Sequence, residues 1–99
     1  MDDANQIEPP ASFAALYTSA DGSRLTRPAH EIIERYELCE DIAQSLSERA
    51  ATVLATSSDS ESEILKRVRD GLDADGGAVT SAESEWVVRR LAELLGWRS

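Results

Sequence analysis

This chain of 99 residues has one cysteine, one histidine and one lysine, and each scarcity removes a class of chemistry. A lone Cys39 cannot close an intramolecular disulfide. With His30 as the only histidine, a zinc site of four Cys or His ligands cannot be assembled. Nucleophilic catalysis needs a nucleophile beside a base, and nine helical residues put His30 and Cys39 on opposite sides of one helix. Cys39 is expected to be a small buried hydrophobe and His30 an exposed first-turn residue. Lys66 falls in the middle of a helical pattern, and the only glycine pair, Gly76-Gly77, follows acids. A phosphate-cradling loop needs convergent glycine N–H groups and a following lysine, so nucleotide hydrolysis is not expected. No catalytic residue, cofactor or resident metal is predicted.

Long apolar runs are also missing. Nothing approaches the ~18 residues that cross a bilayer, and Met1-Asp2-Asp3 is acidic where a secretory leader is basic. A cytoplasmic protein that does not engage membranes is the expectation. Only five residues are aromatic, and β-branched runs are absent, so the core must come from Leu, Ile, Val and Ala in helices.

What the chain does have is acid. Its formal charge is −9. Residues 30–56 hold six acids against two bases, residues 57–79 six against three, and residues 80–99 three against three. That field repels phosphate backbones and argues against nucleic-acid binding. It suits a solvated surface; mimicry of nucleic acid is the sharper alternative reading.

Helical punctuation is the clearest signal. From Thr80 to Ser99, Thr80 and Glu83 form a capping box, and Val87, Leu91, Leu94 and Leu95 make an apolar stripe flanked by Trp86 and Val88. Gly96 stops the helix, with Trp97 where a Schellman clasp folds back. Upstream, Ile32, Tyr36, Cys39, Ala43, Leu46, Ala50 and Val53 repeat at intervals of 4 and 3, widened by Ile33, Ile42 and Leu54. Packing within the chain is the expected use of this seam, while a homodimer remains open. Ser60 and Glu63 begin a helix whose apolar side is Ile64, Leu65, Val68 and Leu72.

Helices are therefore predicted near 28–55, with Thr26 or Arg27 as cap, and near 60–72 and 80–95. The fold class is all-α: a three-helix bundle over 28–99 with an extended N-terminal arm over 1–27. In the arm, Pro9-Pro10 enforces extended backbone and Ala20-Asp21-Gly22-Ser23 is turn chemistry. Between them Ser12 is the expected cap of a short helical turn that groups Phe13, Leu16 and Tyr17. Such a turn docks on its own domain or presents a linear motif to another protein.

One loop has the look of a calcium site. Asp73, Asp75 and Glu83 bracket a glycine bend, as in an EF-hand. A twelve-residue loop ending at Glu83, however, puts Leu72, Ala74 and Gly76 at ligand positions 1, 3 and 5. A degenerate EF-hand-like calcium-binding protein is thus an alternative to a plain helix stop and capping box.

The segments Arg35-Tyr36-Glu37-Leu38-Cys39-Glu40-Asp41 and Trp86 to Trp97, with Pro9-Pro10-x-x-Phe13-x-x-Leu16-Tyr17, resemble those of a group of small proteobacterial proteins without an assigned function. Some members carry the label ATPase with chaperone activity. The resemblance implies at most an accessory of a chaperone ATPase and transfers no site residues. The expected function is a non-enzymatic protein-interaction module, adaptor or regulator. Interface energy concentrates in aromatic and arginine anchors, which nominates Phe13, Leu16, Tyr17, Trp86, Arg89, Arg90 and Trp97 for partner binding.

Overall fold

A computed structural model describes residues 8–74 and 78–97. They are mostly helical: α1 (Ala11–Ala14) runs into a 3₁₀ turn (Ala15–Tyr17), followed by α2 (Ala29–Thr56), α3 (Glu61–Ala74) and α4 (Ser81–Leu95). The only extended pairing among them is an isolated antiparallel bridge between Thr18 and Leu25. The protein is all-α. Two compact units divide the chain, residues 1–37 and 38–99, with the boundary inside α2.

In the first unit, the Pro10 carbonyl accepts the Phe13 and Ala14 N–H groups at 2.9 and 3.0 Å and opens α1. Pro10 is therefore the N-cap residue, with no side-chain cap, and Ser12 lies inside the helix instead of capping it. The proline wins because its fixed φ of −63° with an extended ψ already sets the entry geometry. Phe13 is wholly buried, its ring 5.8 Å from Tyr17 and 5.7 Å, edge-on, from Tyr36. The expected turn forms next. Ser19 N–H reaches Arg24 O at 2.9 Å, and Gly22 takes the left-handed φ of 78° that favours glycine. Asp21 Oδ1 accepts from Ser19 Oγ, Ser23 N–H and Ser23 Oγ. These bonds, Ser19's foremost, lower its carboxyl to about 2.

The start of α2 corrects the expected cap. Glu31 and Ile32 donate to the Pro28 carbonyl at 3.0 and 3.2 Å, so Pro28 closes the first bonds. Thr26 lies too far before the first helical residue, Ala29, to be the cap, and its N–H bonds Tyr17 O at 2.7 Å; Arg27 reaches Glu31 at 3.3 Å.

The second unit holds a core of Ala50 from α2, Ile64 and Leu65 from α3, and Leu91 and Ala92 from α4. Leu46, Val53, Leu54, Val68, Val88, Leu95 and Trp97 pack around it. Along α2 the seam is inward throughout: Ile32, Cys39, Ala43 and Ala50 are buried and Tyr36, Leu46 and Val53 half-buried. Both capping boxes are present. Ser60 N–H donates to Glu63 Oε1 at 2.8 Å and Glu63 N–H to Ser60 Oγ at 3.1 Å. Thr80 and Glu83 exchange the equivalent pair at 2.9 and 3.0 Å. Gly96 takes φ 72°, Trp97 N–H returns to Ala92 O at 2.8 Å, and the Schellman clasp closes on the core. Leu94 and Leu95 are half-buried, while Trp86, expected on the flank, is buried with Val87 and Leu91.

Candidate docking groove

Where α3 and α4 meet, an open groove of about 660 Å³ lies between two helical faces. Ser62, Leu65, Lys66 and Arg69 line it from α3, at the i, i+3, i+4, i+7 spacing that shares one face. Glu85, Val88 and Arg89 line it from α4 by the same rule. The floor is apolar, because Leu65 belongs to the core and Val88 packs against it. The rim carries the bases Lys66, Arg69 and Arg89 with Glu85, and two further acids, Asp70 and Asp73, pair with Lys66 and Arg69.

The three bases differ in how they are engaged. Lys66 pairs with Asp70 at 3.3 Å, both ends open to solvent. Arg69 holds Asp73 at 3.2 Å, Glu85 at 3.6 Å and Ser81 Oγ at 3.2 Å, which ties the α3 wall to the α4 wall. Exposed Arg89 has no hydrogen-bond or ion-pair partner among the described residues. Exposed ion pairs are worth about 0–1 kcal/mol, so an incoming carboxylate displaces Asp70 from Lys66 at little cost.

Arg90, next to Arg89, is committed. Its guanidinium forks onto Glu40 of α2, Nε to Oε1 at 2.8 Å and Nη2 to Oε2 at 3.0 Å, and Nη1 reaches Glu93 at 3.3 Å. Gln44 donates to the same Glu40 carboxylate at 2.7 Å. The Arg90 bonds hold the Glu40 carboxyl below its ordinary range, against the pull of partial burial, and Glu40 in turn raises Arg90. This fork fastens α2 to α4 within the second unit.

The other nominated anchors separate into two groups. Phe13, with half-buried Leu16 and Tyr17, belongs to the first unit, and its ring is sealed from solvent. Trp86 is buried in the second unit, and Trp97 is half-buried as the helix clasp. The first unit has its own apolar hollow of about 330 Å³, bounded by Pro9, Ala14, Leu25, Ala29, Ile32 and Ile33 with Glu8 at its edge.

Of the calcium-like residues, the two that are described have other partners. Asp73 faces Arg69, and Glu83 is fully buried with its carboxylate on the Thr80 N–H. Asp75 lies outside the described residues. Among those described, no three His, Cys, Asp or Glu side chains are placed to hold a metal. No described helix is long and apolar enough to cross a membrane. Cys39 is buried and His30 exposed, as their positions predict.

Sequence reasoning missed the groove as a site. Its signal was present in the face-sharing positions 62, 65, 66 and 69 paired with 85, 88 and 89, but reading it requires knowing that α3 and α4 are neighbours. No protein-family model, curated protein or solved structure matches this chain.

Proposed function

We propose that this protein is a non-enzymatic interaction module, a three-helix bundle with an extended N-terminal arm, which acts as an adaptor or regulator by docking a segment of another protein between α3 and α4. The observation that carries this reading is Arg89: an exposed arginine, without a partner among the described residues, beside an open groove with an apolar floor. Arginine and apolar anchors at a concave site are what peptide docking uses. An accessory role beside a chaperone ATPase is one instance of such binding.

The test is a photocrosslinking residue installed at Ser62 in the groove or at Glu34 on the exposed acidic surface of α2. In the native host the Ser62 probe should give a discrete protein adduct that disappears when Arg89→Glu is added. Adducts formed only from Glu34, or Ser62 adducts indifferent to Arg89→Glu, contradict the reading.

A further inference from the structure

The charge of the groove says what kind of segment it takes. Lys66, Arg69 and Arg89 stand around one concavity; Asp70 offsets Lys66, and Asp73 and Glu85 offset Arg69, so Arg89 is the cation left without a partner among the described residues. Charged groups separated by more than about 8 Å are screened at physiological ionic strength, so a ligand in the groove meets unpaired Arg89 and the paired Lys66 and Arg69 with their acids, not the whole −9. A long polyanion extends past the groove into that repelling surface. A short segment with a few carboxylates does not. Leu65 and Val88 on the floor add a requirement for apolar side chains, which phosphate backbones lack.

Building on the docking reading, we propose that the occupant is a short acidic amphipathic peptide segment. Its apolar residues cover Leu65 and Val88. One carboxylate meets Arg89, and another exchanges with Asp70 for Lys66. Glu85 and Asp73 hold Arg69 at the groove wall, so Arg69 shapes the site while Arg89 and Lys66 recognise the ligand.

The intact chain is titrated with two synthetic peptides of about twelve residues, with backbone amide shifts as the readout. Both carry one leucine stripe; the flanking residues are glutamate in one and lysine in the other. The glutamate peptide should saturate shifts at Ser62, Lys66, Arg69 and Arg89, and bind more weakly as salt rises. Arg89→Glu should weaken it about tenfold, Arg89→Lys much less, and Arg89→Glu with Lys66→Glu should transfer preference to the lysine peptide. Circular dichroism of each variant should match wild type, showing that these exposed substitutions keep the fold. If the lysine peptide occupies the wild-type groove at least as tightly, the acidic occupant is wrong while docking there stands. If neither peptide moves those amides, both the occupant and the docking reading fail. An oligothymidine binding the groove as tightly as the glutamate peptide would overturn the proposal in favour of polyanions.

Discussion

At the start of α3, Ser60 and Glu63 exchange hydrogen bonds of 2.8 and 3.1 Å; at the start of α4, Thr80 and Glu83 exchange bonds of 2.9 and 3.0 Å. The local grammar and geometry are the same. The surroundings are not: Glu63 is exposed, whereas Glu83 is 0% exposed. The first box trims the end of a helix in water, where the carboxylate's other lone pairs are solvated at no cost. The second fixes a carboxylate inside the protein, where its desolvation must be offset by its bonds and packing. A motif specifies a hydrogen-bond pattern, and burial sets what that pattern is worth.

The largest expected effect breaks the symmetry directly. Glu83→Ala should destabilise the protein by about 2–4 kcal/mol, since it strips a box bond and leaves a void in a packed site. Glu63→Ala should cost about 1 kcal/mol or less, the ordinary loss of an exposed cap interaction. Urea denaturation of both variants checks the difference, and equal losses would remove burial as the cause.

The N-cap residues sharpen the same comparison, because Ser60 and Thr80 are both exposed. Ser60→Ala and Thr80→Ala should therefore cost alike, about 1 kcal/mol each. A Thr80→Ala loss as large as that of Glu83→Ala would mean that the α4 box acts as one unit, with no separate term for the buried carboxylate.

A second contrast is between ion pairs. The Glu40–Arg90 fork is only 18% and 32% exposed at its two side chains, against 65% and 78% for Asp70–Lys66. Glu40 has a depressed folded value, so its contribution is complete above the ordinary 4.5 and is lost as pH falls through the folded value. Wild type should thus exceed Glu40→Gln in stability by less than about 1 kcal/mol near neutrality, discounted for the exposed third of Arg90. That margin should shrink as the pH is lowered below 4.5.

The smallest effect lies one residue beyond Glu83. Ser84 Oγ is buried without a hydrogen-bond partner among the described residues, so Ser84→Ala should be neutral or slightly stabilising. Thermal unfolding would expose a hidden partner for Ser84 as a loss of about 1 kcal/mol or more.

Most local signals were legible in the sequence, the exceptions being the Ser12 and Thr26 or Arg27 caps, where Pro10 and Pro28 set the helix starts; long-range ones were not. Both boxes, the Gly96 stop with its Trp97 clasp and the α2 seam depend on residues within a turn or two, and all appear where the spacing puts them. Arg89 and Arg90 show the limit. Neighbours in sequence point about 100° apart on a helix, so one meets Glu40, fifty residues away, while the other stays in solvent. Nothing within the arginine pair distinguishes them. Trp86 and Phe13 carry the same lesson, since an aromatic ring is equally suited to a core and to an interface, and its neighbours decide.

The central claim is that the cations of the α3–α4 groove, not the acidic face of α2, carry binding. The direct measurement is calorimetric affinity of the intact chain for the protein captured by the Ser62 crosslink, compared with Arg89→Glu and with Glu34→Lys plus Glu37→Lys. The account predicts about tenfold weaker binding for Arg89→Glu and little change for the lysine pair. Binding abolished by the lysine pair and untouched by Arg89→Glu would contradict it.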